Sequence, residues 1–122
     1  MFKVVKAQHV LAVNDFDPAV KYFTDKLGFT LDNTIGGWAF LHLDNFYLMV
    51  GDCQGEVPAK ETNNHALFAY VNCEGIDELY EQYKEKGVLF NQKISDKPWG
   101  LREFGVETPE GHRIMFGQEI NA

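Results

Sequence analysis

The sequence predicts an α+β protein made of two modules that repeat one order of elements: a strand, a helix and three strands. Apolar residues show strand-like and helix-like spacing in that order twice along the chain. A polar stretch at about 52–64 contains Gly and Pro, separates the two occurrences and is interpreted as a linker. We expect a single domain over 1–122, with module one at about 1–51 and module two at about 65–118. Neither module can bury both faces of a four-stranded sheet alone, so the modules either pack within one chain or swap with a partner chain.

Module one begins with Val4–Val13, a β-branched run that is typical of a strand. The segment after it predicts a helix start, with Asp17 as the N-cap and Pro18 as the first helical residue. Apolar residues then recur at helical spacing until Gly28, which predicts the helix end. Turn residues separate the strands predicted near 29–34, 37–43 and 46–50.

Module two repeats this order with a strand at 65–71 and a helix that ends at Gly87. One face of this helix is apolar and carries Ile76, Leu79, Tyr80 and Tyr83. The remaining strands are predicted near 88–93, 101–107 and 112–118.

Composition narrows the classes of partner. The formal net charge of −7 disfavours nucleic acid, whose backbone selects for Lys and Arg, so no nucleic-acid partner is expected. The charge favours cationic or neutral partners, and an ordinary solvated acidic surface is the alternative interpretation. No apolar run approaches the roughly 20 residues of a membrane span, and no signal-peptide core is present, so we expect a cytoplasmic protein without a membrane partner. Cys53 and Cys73 lack metal-type spacing and are expected to be reduced thiols.

Two segments carry a family resemblance: VNDFDPAVKYFTDKLGF at 13–29 and REFGVETPEGHRIMF at 102–116. With the duplicated order of elements, they resemble the vicinal oxygen chelate superfamily, which includes glyoxalase I, fosfomycin resistance proteins, extradiol dioxygenases and bleomycin resistance proteins. PWGLREF at 98–104 is most similar to the bleomycin resistance-like members. The resemblance implies paired βαβββ modules whose mixed sheets curl into a cup, and a homodimer. In the enzymes the cup holds a divalent metal, whereas the bleomycin-binding members have no metal and sequester a drug.

The resemblance also assigns the positions of the family's metal ligands. The first falls seven residues before Asp15, at Gln8, which either ligates or forms an ordinary hydrogen bond at the cup wall. His9 is expected to point to the opposite face of the strand. The second position falls on the strand that offers Tyr47 and Met49, neither of which is a carboxylate.

The third position falls on Ala66, unless a bulge in the strand brings His65 there instead. The fourth, a glutamate in the enzymes, is occupied by Met115. A metal site would have to be rebuilt from His42, His65 and Glu103, which no local spacing supports. We therefore expect no bound metal and no cofactor.

Strand alternation predicts which side chains face the cup, and a closed aromatic core is the alternative. Trp99, between Pro98 and Gly100, is expected at a loop edge rather than in a strand. Arg102 and Glu103 are also open to interpretation as a surface ion pair. The ordinary core is predicted to include Leu11, Val13, Phe104, Ile114 and Phe116. The predicted ligand-binding residues are Gln8, Trp38, Phe40, His42, Tyr47, Met49, Phe68, Tyr70, Trp99, Glu103, Arg113 and Met115.

These features favour a metal-free protein that sequesters a small aromatic or cationic compound in an aromatic cup, as in antibiotic resistance. A metal-dependent lyase, transferase or dioxygenase of the same superfamily, with an unusual ligand set, is the first alternative. Metal-free acid–base catalysis by Glu103 with His42 is the second. No residue is assigned a catalytic role.

Overall fold

The computed structural model describes residues 2–3, 5–58, 61 and 67–120. The chain forms two compact units, Met1–Glu56 and Val57–Ala122. Each unit contains a strand, a helix and three further strands, so the predicted α+β fold of paired βαβββ modules is confirmed. No helix in the described part of the chain is long and apolar enough to cross a membrane.

The first unit is a four-stranded sheet with one helix. Its strands lie in the order β1-β4-β3-β2, with β1 parallel to β4 and the other pairs antiparallel. The elements are β1 (His9–Val13), α1 (Phe16–Asp25), β2 (Thr30–Ile35), β3 (Trp38–Leu43) and β4 (Phe46–Asp52).

The second unit has the same topology. Its sheet order is β5-β8-β7-β6, with β5 parallel to β8 and the other pairs antiparallel. The elements are β5 (Leu67–Asn72), α2 (Ile76–Glu85), β6 (Leu89–Asp96), β7 (Leu101–Glu107) and β8 (Arg113–Glu119).

Two details at the start of the chain differ from the prediction. The first strand begins at His9 instead of Val4, so Gln8 precedes the strand. The N-cap position of helix α1 is Asp15, whose side chain makes no capping hydrogen bond, and Asp17 lies in the first turn, where a negative charge interacts favourably with the helix dipole. Pro18 is the third helical residue; it is tolerated because the first four N–H groups of a helix have no intrahelical acceptor.

Both helices end as predicted at glycines with positive φ, +85° at Gly28 and +74° at Gly87. The N–H after each glycine donates to a carbonyl of the helix, six residues back in the first unit and five residues back in the second. Phe29 N donates to Phe23 O at 2.9 Å, and Val88 N donates to Tyr83 O at 3.0 Å.

One face of each sheet supplies the core. The five residues predicted as ordinary core are each at most 4% exposed. In the second unit Phe104 and Phe116 stack with their ring centroids 5.1 Å apart, and Tyr83 of α2 packs edge-on against both. The remaining face of each sheet is therefore the one on which a ligand site can be built.

Strand register reveals a tripeptide repeat between the two units. The tripeptides Met49–Gly51 and Met115–Gly117 occupy corresponding places in β4 and β8. Each central residue is buried in the core, and the Met and Gly on either side belong to the opposite face. By this register Met49, rather than Tyr47, corresponds to Met115.

Candidate ligand site

Glu103 is the centre of a polar cluster in the second unit. Its side chain lies on β7 and is only 5% exposed. The Tyr70 hydroxyl donates to Glu103 Oε2 at 2.6 Å, and the Trp99 indole N–H donates to the same oxygen at 3.1 Å. These three residues were each predicted from sequence as cup residues, and the structure brings them together as the Glu103 cluster (Tyr70, Trp99 and Glu103).

A glycine makes the Tyr70–Glu103 hydrogen bond possible. Gly117 of β8 lies directly opposite Glu103 in the sheet. Tyr70 reaches Glu103 across this position, and a Cβ on residue 117 would overlap the Tyr70 hydroxyl oxygen and lie 2.6 Å from its Cζ. The Glu103 cluster therefore requires a glycine at position 117.

Trp99 is held at the surface by a tight turn. Lys97 N donates to Leu101 O at 2.8 Å, and Gly100, with φ +86°, donates back to Lys97 O at 3.1 Å. Trp99 is 64% exposed, in agreement with its predicted loop-edge position. Its hydrogen bond to Glu103 favours one orientation of this exposed ring.

Burial, followed by the hydrogen bond and charge of Glu103, raises the pKa of the Tyr70 hydroxyl above its ordinary value of 10.0. We expect an absorbance titration to show a tyrosine that ionises above pH 10.0 in the wild type and is absent from Tyr70→Phe. Because the folded pKa exceeds the unfolded one, this stabilisation is complete below pH 10.0 and is lost as the pH rises further through the folded pKa. The free energy of unfolding should fall more steeply there in the wild type than in Tyr70→Phe, and equal slopes would contradict the assignment.

Neither arginine of this sheet neutralises Glu103. Arg102 donates to Asp77 and Asp96, each at 2.9 Å, so the interpretation of Arg102 and Glu103 as an ion pair is wrong. The two residues are neighbours on β7, and their side chains therefore point to opposite faces. Arg113 donates to Glu107 at 2.9 Å across the β7–β8 pair.

The corresponding face of the first unit is built differently. The ring of Trp38 covers Gly51, where a Cβ would lie 3.0 Å from two ring carbons. His42 hydrogen-bonds Asp32 at 2.8 Å and lies 5.8 Å from the Tyr47 ring centroid. Phe40 and Met49, which pair across β3 and β4, complete this face and are half-buried.

A cation approaches the Tyr47 ring in the first unit. Lys6 Nζ lies 4.7 Å from the ring centroid, a cation–π contact that sequence reasoning did not anticipate. His9 points the other way, as predicted, with its ring 5.2 Å from that of Phe46. Gln8 is exposed.

The first strand of module two does contain a bulge, between Leu67 and Ala69. Phe68 is displaced from the ladder there, and its ring lies 6.1 Å from that of the buried His112. The alternatives His65 and Ala66 lie outside the described residues.

The described side chains do not cluster in a way that supports metal binding. Within the described ranges, no group of three or more His, Cys, Asp or Glu side chains is arranged to hold a metal ion. The enzyme-type positions Met49 and Met115 carry thioethers, which are poor ligands for the hard and borderline divalent ions. His42 and Glu103 belong to different units, and each has its own hydrogen-bond partner.

The paired βαβββ topology, together with a half-exposed aromatic face in each unit, defines a class of proteins that includes both binding proteins and metalloenzymes. The model of the glyoxalase/bleomycin resistance protein/dioxygenase superfamily matches residues 6–116, and the chain belongs to that superfamily.

Known relatives include bleomycin resistance proteins. The chain is 29% identical over 125 residues to proteins of that description from Geobacillus stearothermophilus and Staphylococcus aureus, with 92% of this chain and 95% of the relative covered. Among solved structures, TioX from Micromonospora sp. ML1 matches with 26% identity, a TM-score of 0.74 and coverage of 96% of this chain and 100% of TioX. The bleomycin-binding protein of Streptomyces verticillus, solved with copper(II)-bleomycin, matches with 24% identity, a TM-score of 0.75 and coverage of 95% and 97%.

Proposed function

We propose that this chain binds a small organic molecule, aromatic or cationic, and sequesters it unchanged, as a metal-free resistance protein. The observation that carries the proposal is Trp99, whose ring is 64% exposed while its N–H is held by a buried carboxylate. An exposed aromatic side chain in a fixed orientation gives a planar guest a stacking surface without the entropic cost of ordering it. The descriptions of the curated relatives support the same function.

The test uses metal-free bleomycin, the compound named in the descriptions of the relatives. We expect saturable binding in isothermal titration calorimetry and recovery of intact bleomycin by mass spectrometry after prolonged incubation. Elemental analysis of protein purified without chelators should find no stoichiometric divalent metal. A chemically altered compound, or about one metal ion per chain, would instead favour a metal-dependent lyase, transferase or dioxygenase.

We also propose that the protein is a cytoplasmic homodimer. Strand β2 is an edge strand that is exposed along its whole length and presents Leu31 and Ile35. Edge strands of this kind favour pairing or cover by another surface. Sedimentation velocity at micromolar concentration should give twice the mass of one chain, with an interface of roughly 1,200 Å² or more. A single monomeric species at that concentration would contradict the proposal.

A further inference from the structure

We propose that Glu103 recognises a cationic N–H group on the bound molecule, such as an ammonium or a protonated ring nitrogen. This inference rests on the proposed function and specifies the chemistry of the guest. The group on the guest donates to Glu103 Oε1, the carboxylate oxygen that the Glu103 cluster leaves without a donor.

The two oxygens of Glu103 have different environments. Oε2 accepts both the Tyr70 and the Trp99 hydrogen bonds, and Oε1 accepts none from any residue that the structure describes. Every fully buried side-chain oxygen in those same residues has a hydrogen-bond partner. Oε1 is therefore reached by solvent, although the residue as a whole is 5% exposed. A donor on a small molecule can approach by the same route.

The carboxylate also lacks a cationic partner. No ion pair among the described residues includes Glu103, since the arginines on β7 and β8 are paired with other carboxylates. Both of its hydrogen-bond donors, a phenol and an indole, are neutral. A mostly buried carboxylate without a counter-ion is stabilised more by a cationic donor than by a neutral one. The guest is therefore expected to supply the missing charge.

Trp99 places an aromatic ring beside the charge of Glu103. Because its indole N–H binds the same carboxylate, the ring is fixed beside the place where the cation binds. A guest that carries a cationic N–H on a planar ring system can contact both Trp99 and Glu103. A neutral ring of the same shape contacts only Trp99.

Three tricyclic probes separate charge, hydrogen bonding and stacking at neutral pH. Acridine is neutral, 10-methylacridinium is a cation without an N–H, and 9-aminoacridine is a cation with N–H donors. A cation–π interaction with Trp99 alone would favour both cations over acridine to a similar degree. We expect the wild type to bind 9-aminoacridine about tenfold or more tightly than acridine, and also more tightly than 10-methylacridinium.

Glu103→Gln keeps the size and an acceptor for Tyr70 and Trp99 but removes the charge. It should lower the affinity for 9-aminoacridine about tenfold and change that for acridine less than about twofold. Glu85→Gln, on the exposed surface of α2, is the matched control for net charge and should change neither affinity more than about twofold.

Equal binding of the three probes by the wild type would overturn the inference and leave the proposed binding function intact; this result does not depend on the folding of any variant. An equal loss of 9-aminoacridine affinity in Glu103→Gln and Glu85→Gln would overturn it as well. Failure of all three probes to bind would overturn the inference as well, whereas the bleomycin titration decides the proposed function separately.

Discussion

Gly117→Ala is expected to lower the free energy of unfolding by about 2–3 kcal/mol, an unusually large loss for the addition of one methyl group. The new Cβ would occupy the position of the Tyr70 hydroxyl, so the tyrosine must turn away from the sheet. Glu103 then loses a charge-assisted hydrogen bond while its side chain stays mostly buried. Such bonds contribute roughly 1.5–3 kcal/mol, and Glu103 Oε2 would keep only the longer bond from Trp99.

Urea denaturation of the purified variants measures this effect. Gly51→Ala is the matched control, because it makes the same change at the corresponding place in β4, where the Cβ meets only ring carbons of Trp38 at 3.0 Å. We expect it to cost less than about 1 kcal/mol, since the indole needs to shift by only a few tenths of an ångström.

A double-mutant cycle tests the cause. In the Tyr70→Ala background the hydroxyl and the ring are absent, so Gly117→Ala should have little further effect. If the two losses were additive, the crowding at Gly117 would have a cause other than Tyr70. The proposed architecture of the Glu103 cluster would then be wrong.

The fold was predictable because it depends on patterns that are local in sequence. Apolar spacing placed both helices, and the glycines at 28 and 87 predicted their ends correctly. The first strand was predicted too long because β-branched residues favour extended chain but do not supply a partner strand. Its ladder with β4 begins only at His9, which pairs with Leu48.

The site was only partly predictable. The alternation of side chains selected Tyr70 and Glu103, and the Pro–Trp–Gly sequence selected Trp99. The contacts of Tyr70 and Trp99 with Glu103 depend on cross-strand register and on the space above Gly117. Neither can be read from the spacing of residues along the sequence. Two other predicted cup residues have partners that no motif indicated: His42 hydrogen-bonds Asp32, at a bulge in β2, and Arg113 forms an ion pair with Glu107.

The same cluster explains how one residue can serve binding with little contribution to stability. Trp99→Ala is expected to weaken the binding of a planar guest by roughly 1–3 kcal/mol, as the loss of an aromatic hot-spot residue does. This corresponds to a loss of affinity of roughly fivefold to 150-fold. The free energy of unfolding should fall by at most about 1.5 kcal/mol, the low end for a hydrogen bond to a charged group, because the ring is largely exposed and Tyr70 still donates to Glu103.

Trp99→Phe separates the two contributions of the indole. Phenylalanine keeps an aromatic face but has no N–H, so it should retain part of the stacking while losing the hydrogen bond that fixes the ring. We expect its affinity for metal-free bleomycin to lie between those of the wild type and Trp99→Ala. Calorimetry is the suitable measurement, because Trp38 continues to fluoresce in both variants. If Trp99→Ala instead unfolded the protein without a selective loss of binding by the folded fraction, the ring would belong to the core, and recognition would have to rest on the other aromatic residues.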